Sequence, residues 1–89
     1  MTDSQKRSVC IAGHRTSVSL EPDFWTALKE ISKDRGTSLN ELITRIDRER
    51  TQNAPQTGLS SALRVYILSY FRAFSGKVDP VFRPKTRPN

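Results

Sequence analysis

The sequence predicts a mostly helical fold with one short strand per chain. A second copy completes it as a homodimer, in which two such strands pair antiparallel into a ribbon and an extra third helix follows the minimal unit. Three observations lead there. The first is size: 89 residues with 35% hydrophobic content allow one domain and little buried core. A chain this small usually needs disulfides, a metal or a partner subunit. Cys10 is the single cysteine, and Cys10 and His14 are the only thiol and imidazole ligands, so neither a disulfide within the chain nor a metal site is expected. Oligomerisation remains. The second observation is one segment of strict alternation, and the third is a series of three apolar repeats at helical spacing.

Residues 1–7 are polar and expected as a disordered arm. Residues 8–12 (SVCIA) are β-prone, and Gly13 follows. In residues 14–20 (HRTSVSL), Thr16, Val18 and Leu20 alternate with Arg15, Ser17 and Ser19, which marks a strand with one buried and one exposed face. Thr16 is small and polar for an inward position. A lone strand leaves its backbone groups unpaired, and pairing with the same strand of a second chain removes that defect.

The first helix is predicted over 22–35. Pro22 suits the first turn, Asp23 complements the helix dipole, and Phe24, Trp25, Leu28 and Ile31 form its core face. Gly36 ends it in a left-handed cap. The second helix is predicted over 38–50. Ser38 and Glu41 have capping-box spacing, and Leu39, Leu42, Ile43 and Ile46 recur at i, i+3, i+4, i+7. Residues 51–58 (TQNAPQTG) read as a loop. The third helix, over 59–73, carries Leu59, Leu63, Tyr66, Ile67, Tyr70, Phe71 and Phe74 on one stripe, with Val65 and Leu68 on another face. It is expected to be buried on more than one side. Residues 8–74 thus form the domain, and 75–89 form a basic tail with Pro80, Pro84 and Pro88.

The formal net charge is +6, and its placement matters more than its size. Residues 14–74 hold nine bases against seven acids, so most of the excess sits in the two ends. Basic ends suit phosphate contact through counterion release, and a soluble tail looks the same. No apolar run approaches a membrane span, and residues 1–13 have no apolar h-region, so no secretory signal is expected. With one unpaired thiol, the cytoplasm is the expected compartment. One histidine, no glycine-rich phosphate loop, no metal constellation and no nucleophile–base pair predict no catalytic residue and no cofactor. Cys10 reads as a buried filler and His14 as a surface residue.

The stretch RTSVSLEPDFWTALKEISKDRGTSLNELITRI (15–46) resembles the Arc/MetJ-type ribbon-helix-helix repressors. Over about 8–72 the chain is also similar to small bacterial ribbon-helix-helix domain proteins, through GHRTSVSLE, FWTAL, LNELITRIDRER and LSSALRVYIL. The resemblance implies a dimeric, sequence-specific double-stranded DNA-binding protein, a transcriptional regulator with its ribbon in the major groove. Base readout then falls to Arg15, Ser17 and Ser19. A phosphate clamp falls to Thr37, Ser38, Leu39 and Asn40 at the start of the second helix. Lys6 and Arg7 extend backbone contact from the arm. An alternative stays open: a protein-interaction module, antitoxin-like or part of a larger complex, that docks a partner through the third helix and the tail.

Overall fold

A two-residue turn decides the architecture. In the computed structural model, which describes residues 4–74, strand β1 (Gln5–Ile11) reaches Ala12 and Gly13 and returns as β2 (His14–Leu20). Ala12 and Gly13 both have positive φ, 52° and 82°. That is the backbone of a type I′ turn, whose twist matches the strands it joins. The strands are antiparallel, with Ile11 opposite His14, Val9 opposite Thr16, Arg7 opposite Val18 and Gln5 opposite Leu20.

Two expectations are corrected here. The strand over 14–20 exists, but its neighbour is the preceding segment of the same chain, so each chain has two strands. Residues 5–7, expected in a disordered arm, belong to β1. The reason is loop closure: two residues bring the strands together at small entropic cost and supply in cis the pairing that a lone strand lacks. The remaining arm, residues 1–3, and the basic tail, 75–89, lie outside the described residues.

Helix α1 (Pro22–Arg35) occupies the span its spacing predicts. It ends on Gly36 at φ 69°, with Gly36 N–H donating to Lys33 O at 3.2 Å and Thr37 N–H to Ser32 O at 2.9 Å. These two bonds make a Schellman motif, which satisfies carbonyls that a helix end otherwise leaves open. Helix α2 (Leu39–Asn53) begins at Ser38, whose Oγ accepts from Glu41 N–H at 3.0 Å. Only half of the capping box forms, because the Glu41 carboxylate pairs with Arg45 at 3.1 Å. The helix runs three residues past the expected end at 50. There the Arg50 guanidinium binds Asp47 at 2.7 Å and donates to Thr57 O at 2.8 Å, fastening the following loop to the helix. Helix α3 (Leu59–Phe74) closes the fold.

The inner face of the hairpin, Val9, Ile11, Val18 and Leu20, packs on Trp25, Leu28, Ile31, Leu42, Ile43, Ile46, Leu63, Ile67 and Tyr70. Helix α2 lies along β1 and α3 along β2, with α1 touching both helices. A single chain therefore closes its core, with α3 as the third wall. The expectation that α3 is buried on several sides is corrected: Leu63, Ile67 and Tyr70 are buried, whereas Val65 and Leu68 are 60% and 56% exposed.

Candidate nucleic-acid interface

Side chains alternate across a strand, so burying one face of the hairpin commits the other to solvent. The inward residues leave three outward pairs: Lys6 opposite Ser19, Ser8 opposite Ser17, and Cys10 opposite Arg15. Five of these six residues are exposed and Ser19 is half-buried. The face holds two cations at diagonal corners, three hydroxyls and a thiol, with no acid and no large apolar group. At about 3.4 Å per residue the outer rows are roughly 14 Å apart along the strands. A slip of one residue would send Val9, Ile11, Val18 and Leu20 outward, so the core itself holds the register.

The helical layer grips the hairpin at defined points. The Asn40 carboxamide accepts from Cys10 N–H at 2.9 Å and donates to Cys10 O at 2.7 Å. It therefore stands in for a neighbouring strand. Trp25 Nε1–H donates to Gln5 O at 2.9 Å. Ser60 Oγ donates to Ser19 O at 3.0 Å. The Asn40 bonds also set the phase of the ladder: Cys10 turns both backbone groups away from β2. In an antiparallel pair this orientation recurs at every second residue. Lys6 and Ser8 share it on β1, as do Arg15, Ser17 and Ser19 on β2. Along that edge of β2 Ser60 engages Ser19 O, while at Arg15 and Ser17 no side chain of the described residues makes a hydrogen bond to the outward backbone groups.

Nearby acids are engaged by arginines. Glu21, just past the end of β2, accepts from Arg64 at 3.1 Å. A hydrogen bond from the backbone and this Arg64 contact hold its carboxyl below the usual range. The guanidinium of Arg64 also lies 5.8 Å from the centre of the Phe24 ring. Among the described residues, no group of three or more His, Cys, Asp and Glu side chains could hold a metal, and no helix is long and apolar enough to cross a membrane.

The expected site residues divide. Arg15, Ser17, Ser19 and Lys6 lie on the outer face. Arg7 does not extend from an arm: it sits on the inner face, its guanidinium 5.0 Å above the centre of the Trp25 ring. The start of α2 is turned to the edge of β1. Thr37 N–H is used in the Schellman motif, Ser38 Oγ caps Glu41, Leu39 packs against the core, and the Asn40 side chain is committed to Cys10. Reading the sequence alone misses Ser8 and Cys10 as members of the outer face, and Cys10 is exposed rather than a buried filler. The available signal was the spacing: two β-prone runs separated by two residues, the second a glycine.

The model of a family described as a ribbon-helix-helix domain matches residues 4–71. A solved structure, that of an uncharacterized protein from Bordetella pertussis Tohama I, is similar with a TM-score of 0.69 and 33% identity. The match covers 86% of this chain and 63% of that one, so this chain spans less than two thirds of its length. The search of curated proteins gives no match.

Proposed function

The chain belongs to the ribbon-helix-helix family, and from that premise we propose that it is a dimeric, sequence-specific double-stranded DNA-binding protein and a transcriptional regulator. The observation that carries this reading is the make-up of the outer hairpin face. The major groove admits a two-stranded ribbon, arginine can bridge guanine O6 and N7, and a hydroxyl can donate or accept. Arg15, Ser17 and Ser19 supply those groups on a ribbon whose other face is core. They read base edges.

The dimer forms along the outer edge of β2. Exposed edges of this kind are templates for pairing. The edge of β1 is occupied at Cys10 on both backbone groups by Asn40, whereas the edge of β2 is touched at Ser19 O by Ser60 and lies open at Arg15 and Ser17, which favours β2. Ser17 is the middle residue of β2. With the two-fold axis there, Arg15 lies opposite the partner's Ser19, whose carbonyl has a second lone pair to accept across the new ladder beside its bond from Ser60, and six reading side chains share one central ribbon. A two-fold protein favours a pseudo-palindromic site. Phosphate contact at the start of α2 falls to the backbone N–H groups of Leu39 and Asn40 and to the Thr37 hydroxyl, as the Ser38 and Asn40 side chains have other partners.

A second reading, docking of a protein partner on α3, has the exposure of Val65, Leu68 and Phe71 in its favour. Nothing about that face specifies an occupant, and the hairpin face carries the conclusion.

The test uses purified full-length chain. Affinity for duplex DNA should fall steeply on a log–log plot against salt. Bound duplex should protect Cys10, which shares the reading face with Arg15, from alkylation. On a selected site, Arg15→Ala should cost about 1–3 kcal/mol of discrimination at one base position. No duplex binding at low salt, or alkylation of Cys10 at the same rate with and without DNA, would refute the reading.

A further inference from the structure

We infer that β1 adds a second row of DNA contacts, made to the two phosphate backbones by Lys6 and Ser8 rather than to base edges. The inference rests on the reading above, in which β2 and the partner's β2 form the central pair. Pairing in cis then makes the assembled sheet four-stranded, with β1 on each flank. Neighbouring strands are about 4.8 Å apart, so the two flanking strands stand about 14 Å from each other. The major groove is about 12 Å wide. The central pair fits inside it, and the flanks do not. They lie over the walls, where the phosphates are.

The chemistry of the row agrees with that position. Lys6 brings a point charge on a flexible stem, which suits a phosphate better than the planar edge of a base. Ser8 lies opposite Ser17, level with the two-fold axis, and offers a short hydroxyl donor. Cys10 is small enough to let the strand approach. Because β1 and the partner's β1 run in opposite directions, the two Lys6 side chains fall at diagonal corners, one over each backbone. The row is also fixed in place. Trp25 holds Gln5 O at one end of β1, and Asn40 holds both backbone groups of Cys10 at the other. A pre-positioned row loses less freedom on binding than an arm would.

The experiment compares wild type, Lys6→Ala, Lys6→Arg, Ser8→Glu and Arg15→Ala on a panel of duplexes differing by single base pairs, across a salt series. All five proteins are first shown to have the same melting temperature. Lys6→Gln replaces Lys6→Ala if the alanine variant melts early. Lys6→Ala should weaken binding by a similar factor on every duplex and lower the salt slope by about 2 per dimer, one for each copy. Lys6→Arg should keep the slope. Ser8→Glu places an anion beside the phosphates and should also weaken binding uniformly. A change of preferred base in Lys6→Ala would put β1 inside the groove and overturn the inference. So would unchanged affinity and slope in both Lys6→Ala and Ser8→Glu, while Arg15→Ala still shifts base preference; the parent reading then survives. If wild type ignores duplex DNA, the parent reading fails and takes the inference with it.

Discussion

Asn40 shows how one side chain can settle the use of a whole surface. Its carboxamide has the donor and acceptor of a peptide group at nearly the same spacing, and it uses both on Cys10. This closes part of an edge that would otherwise invite another strand. It also removes the side chain from any phosphate clamp at the start of α2. Asn40→Ala should cost about 1–2 kcal/mol, the net worth of two partly solvated hydrogen bonds. Chemical denaturation checks the value. Amide exchange at Cys10 should quicken in the same variant; protection equal to wild type would mean that the edge is closed by something other than Asn40. Arg7 behaves in a related way. Its charge looks available in the sequence, yet the residue falls on the inner face, where the Trp25 ring accepts its guanidinium.

Among the elements, α3 carries two roles on different faces. Leu63, Ile67 and Tyr70 complete the core, while Val65, Leu68 and Phe71 form an outward band. The Tyr70 hydroxyl donates to the Asp34 carboxylate, which fastens α3 to α1. That bond, followed by burial, raises the phenol above its ordinary pKa. Folding thus favours the protonated form. The associated stability is present below the ordinary tyrosine value and is lost only as pH rises beyond it. The two faces of α3 should respond differently to substitution. Leu63→Ala removes a fully buried side chain and should cost about 2–5 kcal/mol. Leu68→Ser, on the outward band, should stay within about 0.5 kcal/mol. Equilibrium unfolding of both variants at low protein concentration is the measurement. A large loss in Leu68→Ser would show that this band is covered in solution.

For the whole molecule, the consequential fact is that one chain closes both its sheet and its core. Since the sheet and the core are built from the residues of one chain, dimerisation and folding are expected to be separable. Ser17→Pro removes an N–H that faces the outer edge of β2 while leaving the bonds to β1 in place, and edge positions are where strands tolerate proline. The variant should remain folded with native Trp25 fluorescence and sediment with the 10.1 kDa mass of one chain, whereas wild type should sediment at twice that mass. Arg15→Pro, at the next residue of the same phase, repeats the test if Ser17→Pro unfolds. Wild type that stays monomeric with DNA bound would rule out assembly through this edge.

Local patterning determined much of this protein before any tertiary contact was known. The helical repeats and caps set α1, α2 and α3 to within a few residues, because turn chemistry and apolar period are written in neighbouring positions. Alternation over 14–20 separated Thr16, Val18 and Leu20 from Arg15, Ser17 and Ser19, because a strand has only two faces. What pairs with that strand was not legible in the same way. The Ala12-Gly13 turn lacks the Asn or Asp that usually announces a tight hairpin, and residues 8–12 alone do not reveal that the pairing reaches back to Gln5. Tertiary structure decided that pairing, and with it the inward turn of Arg7, the outward turn of Cys10 and the commitment of Asn40. Each depends on residues far apart in sequence meeting in the fold, with Trp25 and Gln5 separated by 20 positions and Asn40 and Cys10 by 30, and no local pattern carries that information.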